Sequence, residues 1–195
     1  MSVNEAASEN AYMPGARQWR AADLSVLFLV IVALISAVAL RQINVNATQS
    51  ASFEDVAFEV PRRAIVESTT DAYVATALGM AVRVEKLTIP AGPAGESGDL
   101  AASRALQQAQ RRTLYQVTGT QAVEVSGRDA ELLSYQYVDK SSQAFATGLR
   151  VIIGNELLVP DDQFFYAVAL EGPSERRAEL EAMWPKIQSS VSLGG

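Results

Sequence analysis

Hydrophobic positions along this chain form an unbroken apolar block first, and then segments of two-residue alternation and helical stripes. Residues 24–40 (LSVLFLVIVALISAVAL) are uncharged and apolar all round, between Asp23 and Arg41. A helix buried in a soluble core keeps a polar stripe, so the block predicts a single transmembrane helix over 21–41. At about 1.5 Å per residue it extends roughly 25 Å, at the short end for a hydrocarbon core of about 30 Å. Trp19 lies just outside, where an amphipathic ring favours the headgroup layer. Ala33 and Ala37 make a small-x-x-x-small pair that lets another helix approach. A cleaved signal peptide is the competing reading, because Ala37-Val38-Ala39 has the small-x-small form of a cleavage site. Against it stand the length of the block and the polar stretch before it. Arg17 and Arg20 precede the block and only Arg41 follows closely, which places the N-terminus in the cytoplasm and the rest outside it, in a bacterial periplasm.

The flanking segments are polar. Residues 1–20 lack periodicity and read as a short disordered cytoplasmic tail, and 42–52 (QINVNATQSAS) as a linker. Asn46-Ala47-Thr48 matches a glycosylation sequon, relevant only in a eukaryotic secretory setting. From residue 53 the period is two. Val56, Phe58 and Val60 alternate with Ala57 and Glu59 until Pro61 ends the strand. Further extended stretches begin at Tyr73 and cover 81–89, where the phase slips near Lys86, and 90–98 (PAGPAGESG) is a turn-rich loop.

A helix is predicted over 99–117, with Asp99 as N-cap, Ala102, Leu106, Ala109, Thr113 and Val117 as its stripe, and Gly119 as its stop. Strands follow over 121–125, 130–138, 149–159 and 163–170, punctuated by Gly127-Arg128-Asp129 and Pro160-Asp161-Asp162, with Gly154-Asn155 as a further turn. Residues 164–170 (FFYAVAL) are apolar on both faces and belong at the centre of a sheet covered on both sides. A last helix starts near Ser174 with Leu180, Met183 or Trp184, Ile187 and Val191 on its stripe, and Pro185 should kink or end it. The order predicts an α+β domain over 53–193, an antiparallel sheet packed by helices.

Composition narrows the chemistry. About 145 residues beyond the anchor suit one domain. That segment carries the whole net charge of −6, which argues against nucleic acid as a partner. His and Cys are absent, which removes the imidazole base, the thiolate and the usual zinc, haem and iron–sulfur ligands. Carboxylate chemistry, a Lys nucleophile or an oxygen-lined cation site remain. P-loop, dinucleotide-fingerprint, nucleophile-elbow and Ser-x-x-Lys motifs are missing.

Few side chains stand out as candidates. Asp161 and Asp162 offer oxygens to a cation, but Asp-Asp after Pro is commonly turn chemistry. Glu179 and Glu181 sit two apart on a helix and point away from each other. Arg62-Arg63, Arg111-Arg112 and Arg176-Arg177 would form an anion-docking surface if the fold brought them together. Tyr135 and Tyr137 share one face of a strand, as a partner surface or as core. No residue is assigned a catalytic, cofactor-binding or metal-ligating role, and no cofactor is expected.

The chain resembles the PsbP-like superfamily, which includes the photosystem II extrinsic protein, the periplasmic DcrB type and the Ran-binding Mog type. The resemblance rests on the strand ending in Pro61 (VAFEVP), the helix from residue 100, Gly127-Arg128-Asp129-Ala130 leading into ELLSYQYVD, the FFYAVAL strand, and the Trp184 helix closing on Ile187-Gln188-Ser189-Ser190. It spans about residues 52–193. It implies a PsbP-like fold and a non-enzymatic accessory, assembly or binding role, with no catalytic residues to carry over. Metal handling in photosynthetic members relies partly on His, which this chain lacks. The expectation is a single-pass, non-catalytic accessory or assembly subunit whose partners are the lipid bilayer and a larger integral-membrane complex, respiratory or photosynthetic. The alternative is an exported small-ligand or lipid-binding module. A carboxylate enzyme comes third and requires two carboxylates meeting in a cleft.

Overall fold

The computed structural model describes residues 16–45, 47–89, 99–139, 148–162 and 164–194. They fall into two units, residues 1–45 and 46–195. The first contains one helix, α1 (Ala16–Val45), in which every side chain over 24–40 is exposed. Among the described residues no helix is long and apolar enough to cross a membrane. The helix takes in residues 42–45, and strand pairing starts at Thr48, both inside the stretch expected as a linker.

The second unit is built on two antiparallel sheets. Strands β1 (Thr48–Phe53), β2 (Val56–Pro61) and β10 (Ser192–Leu193) form the smaller, in the order β1-β2-β10. The larger has seven strands: β3 (Ile65–Ser68), β4 (Ala72–Ala77), β5 (Met80–Thr88), β6 (Thr113–Val125), β7 (Arg128–Asp139), β8 (Arg150–Asp161) and β9 (Phe164–Pro173). Their order is β3-β4-β5-β9-β8-β7-β6, so β9 is central, as its two-faced apolarity predicts. Helix α2 is Leu100–Arg111, and α3 (Arg177–Ser190) follows a 3-10 turn at Ser174–Arg176.

One face of β9 (Tyr166, Val168, Leu170) packs with Val82, Val84, Phe58, Trp184 and Ile187 into the main core. Its other face (Phe165, Ala167) joins Leu133, Leu158, Leu100 and Ala101 under α2. Residues 1–15, Asn46 and the stretch 90–98, expected as a turn-rich loop, lie outside the described residues.

Several boundaries differ from expectation for identifiable reasons. Helix α2 stops at Arg111, and the residues expected as its last turns open β6. Thr113, Tyr115, Val117, Thr118 and Thr120 are β-branched or aromatic; Thr113, Val117 and Thr120 pair with β7, and Gly119 is a strand residue beside a register shift. The expected stripe of α2 faces outward: Ala102, Leu106 and Ala109 are exposed, while Leu100, Ala101, Arg104 and Gln108 are buried. Asp99 does cap the helix, accepting the Ala102 N–H at 2.8 Å.

Gly154 makes no turn. It lies mid-β8 opposite Tyr135, and a Cβ there would come within 2.7 Å of the Tyr135 ring. Its missing side chain makes room for the tyrosine. Ser126 and Gly127, both at positive φ, form the β6–β7 turn, with Arg128 already in β7. Helix α3 continues through Pro185 to Ser190, with Trp184 and Ile187 buried on either side of the proline. The apparent slip near Lys86 is no break, since β5 pairs with β9 in continuous register from Ala81 to Thr88.

Candidate functional site

The buried polar residues of α2 mark the most unusual feature of the domain. Alternation places Arg83 and Glu85 of β5, Glu171 of β9, Glu156 of β8 and Tyr135 and Tyr137 of β7 on the sheet face that α2 covers. A carboxylate in such a place needs a cation, and α2 supplies one. Arg104, only 1% exposed, donates from Nη2 to Glu156 Oε1 at 2.6 Å and to Glu85 Oε2 at 2.7 Å, and from Nε to Glu156 Oε1 at 3.0 Å. Its Nη1 donates to Gln107 at 2.6 Å.

A second centre forms around Glu171. Arg112, just past the end of α2, donates to Glu171 Oε2 at 2.7 Å and to Gln108 at 2.7 Å. The Tyr135 hydroxyl donates to the same Oε2 at 3.0 Å, and Arg83 reaches Oε1 at 3.3 Å. Arg83 also lies 3.5 Å from Glu85, which links the two centres. The Arg112 guanidinium sits over the Tyr137 ring at 4.2 Å, and Tyr115, Tyr135 and Tyr137 follow one another with centroids 5.4 and 6.3 Å apart. Three arginines thus meet three glutamates, and charge balances inside the cluster.

Burial is the largest single influence on the titration of Glu156, Glu85 and the three tyrosines. It pushes the Glu156 carboxyl above its usual range despite Arg104 beside it. Burial also opposes ionisation of Glu85, but the Arg104 and Arg83 guanidinium groups outweigh it and lower that carboxyl. Burial raises Tyr115 and Tyr137 to about 12 and carries Tyr135 well above its ordinary value. Glu156 Oε2 and the Tyr115 hydroxyl have no hydrogen-bond partner among the described residues.

Besides a cleft of about 600 Å³ lined by Leu114, Tyr115, Gln116, Tyr137, Val138 and Val151, two more border this region. One of about 400 Å³ beside α2 is lined by Leu87, Thr88, Ser103, Arg104, Gln107 and Phe165, with the arginine already engaged by Glu85 and Glu156. The other, about 390 Å³, lies on the α3 side, where Thr118, Ser134, Gln136, Asn155, Arg177 and Glu181 supply its polar groups. The cluster fastens α2 to the sheet through the ion pairs of Arg104 and Arg112 with Glu85, Glu156 and Glu171.

The acidic candidates singled out by sequence separate. Asp161 pairs with Arg128, while Asp162 sits exposed in the turn at positive φ. Among the described residues no three carboxylates gather to hold a metal ion. Glu179 pairs with Arg176 at 2.9 Å and Glu181 approaches Arg177 at 3.8 Å. Tyr135 is buried, whereas Tyr137 is half-buried and lines an open cleft with Tyr115. Arg104, Glu156, Glu171 and Arg83 escaped the sequence reading, although Glu156 and Glu171 interrupt apolar strands and Arg83 and Glu85 occupy alternating positions.

No protein-family model matches the chain, and no curated protein matches it. Solved structures do. The solution structure of cyanobacterial PsbP from Synechocystis sp. PCC 6803 aligns over 76% of this chain and 93% of its own, with TM-score 0.55 and 13% identity. The Saccharomyces cerevisiae Ran-binding protein Mog1p aligns over 75% and 95%, with TM-score 0.53 and 9% identity. PA94 from Pseudomonas aeruginosa, described as a putative regulator, aligns over 76% and 98%, with TM-score 0.50 and 10% identity. The fold is therefore a PsbP-like α+β fold. At these identities the likeness establishes architecture alone.

Proposed function

We propose that this protein is a non-catalytic accessory or assembly subunit, anchored in the membrane by α1 and presenting its PsbP-like domain outside the cytoplasm to a larger membrane complex. The observation that carries the reading is α1, with its apolar side chains over 24–40 all exposed. Left in water, a surface of that size would drive association, and a bilayer removes the cost. The described apolar run alone would extend about 25 Å inside a 30-residue helix. The accessory role draws support from the buried cluster, whose charges serve the fold and leave the outer surface for partners. An integral-membrane complex of electron transport, respiratory or photosynthetic, is the partner class.

A second reading, an exported module for a small ligand or lipid, draws on the cleft of about 390 Å³ between α3 and the sheet. Alkaline carbonate extraction of native membranes, followed by protease treatment of sealed vesicles, tests the anchor and its orientation. Retention in the pellet with the domain reachable only from the extracytoplasmic side supports the first reading. Release into the supernatant refutes it.

A further inference from the structure

The seven-stranded sheet has two chemically different ends. At one, β3 starts, β4 turns into β5, β6 and β8 start, and β7 and β9 finish, as the pairings Ile65↔Thr76, Ala77↔Met80, Thr113↔Val138, Asp139↔Arg150 and Ile152↔Pro173 require. All three arginine pairs are at this end. Arg62-Arg63 immediately precedes β3, Arg111-Arg112 immediately precedes β6, and Arg176-Arg177 follows β9. Arg150 opens β8. Arg112, Arg176 and Arg177 have the glutamate partners described above, and Glu175 and Asp139 add negative charge. Arg62, Arg63, Arg111 and Arg150 are exposed and pair with no carboxylate among the described residues.

The same end carries exposed aliphatic side chains: Ile65 (74%), Leu78 (55%), Leu114 (76%) and Leu149 (78%). Two of them occupy backbone positions that disfavour leucine. Leu78 (φ 52°) precedes Gly79 (φ 75°) in the β4–β5 turn, and Leu114 (φ 53°) sits at a register shift of β6. The turns at the opposite end carry Glu54-Asp55, Ser126-Gly127 and Asp161-Asp162 in comparable places. Leu78 and Leu114 thus combine high exposure with a backbone conformation unfavourable to a leucine, and Leu114 borders an open cleft with Tyr137, Val138 and Val151.

The chain also enters the domain here. The Ala47 carbonyl accepts the Arg62 N–H at 2.9 Å, and Thr48 pairs with Pro61. We infer that this end of the domain is a docking surface for an anionic phospholipid bilayer, with arginines at the headgroups and leucines inserted between them. The inference rests on the membrane-anchor reading, which brings the point of entry to the bilayer. Width agrees with such a surface: seven strands at about 4.8 Å spread the arginines over roughly 29 Å, too broad for one small anion. The domain's net negative charge is compatible with it. The acids of the far end lie a strand length away, about 30 Å for nine or ten residues, several times the screening length of about 8 Å. An acidic domain so polarised meets a negative surface with one end only.

Co-sedimentation with vesicles of phosphatidylcholine, alone or mixed with phosphatidylglycerol, tests this on the 46–195 fragment, which forms its own compact unit with its own cores. The fragment should bind the mixed vesicles and not the neutral ones, and salt should release it. Each of Arg62→Gln, Arg63→Gln, Arg111→Gln and Arg150→Gln should lower partitioning about fivefold. Leu78→Asn should weaken binding while leaving the fold as stable or more so, since asparagine suits the turn. The full chain, reconstituted by detergent removal, should associate with both vesicle types. A fragment that binds neither, or both equally, while the full chain still associates, overturns this inference and leaves the anchor standing. A full chain that associates with neither overturns the anchor reading and this inference with it.

Discussion

Replacing Arg104 by methionine keeps most of the side-chain volume and removes the charge that two buried carboxylates depend on. Glu156 lies 2.6 Å and Glu85 2.7 Å from the guanidinium, whose side chain is wholly shielded from solvent. At about 3 Å and an effective dielectric near 20, each contact is worth roughly 5 kcal/mol of attraction, most of it offset by desolvation. Removing one partner leaves the desolvation uncompensated, so Arg104→Met should destabilise the domain by about 3–5 kcal/mol. For a domain of this size that lowers Tm by roughly 6–20 °C. The loss depends on pH with a definite sign. Glu156 is raised by burial, so stability falls as pH rises through its folded value, and without Arg104 that fall steepens. Glu85 is lowered in the folded protein, and its contribution, present at neutral pH and lost in acid, vanishes in the variant at all pH. Both effects make the deficit larger near pH 8 than near pH 5. Urea denaturation of the 46–195 fragment at the two pH values measures it, and Arg104→Met/Glu156→Gln should recover part of the loss. A deficit below about 1 kcal/mol, or one equal at both pH values, would refute the account of the cluster.

Two further predictions concern the tyrosines. Gly154→Ala should cost about 1–3 kcal/mol, because the added Cβ meets Tyr135 at 2.7 Å and the Leu170 carbonyl at 3.0 Å; an unchanged denaturation midpoint would contradict the packing described. Tyr115 and Tyr137 are raised to about 12, so their contribution is intact below about pH 10 and lost as pH climbs towards 12, and spectrophotometric titration should find late-ionising phenols tied to alkaline unfolding. Titration of every tyrosine near pH 10 in a still-folded domain would count against it.

Much of the architecture could be read from periodicity. The alternation of β2, the two-faced apolarity of β9 and the Trp184 stripe each point to one element, because burial demands a single pattern there. The failures have a common cause. Thr113 and Val117 fit a helical stripe and a strand equally well, and only pairing with β7 decides between them. On α2 Ala102, Leu106 and Ala109 lie outside and Arg104 inside, because the sheet beneath carries Glu85 and Glu156; a helix's inward face is set by what it covers, which its own sequence does not contain. Gly154 resembles a turn until Tyr135 is known to lie across it. The arginine pairs could be named from sequence, but their common end follows from strand order, which local patterns leave open.

Capture of the protein from native membranes in mild detergent, through a C-terminal tag and followed by mass spectrometry of bait and companions, tests the central claim most directly. An accessory subunit should be recovered with its N-terminal segment intact and integral-membrane proteins in fixed proportion. A bait that begins near Leu40 and elutes alone would contradict the account.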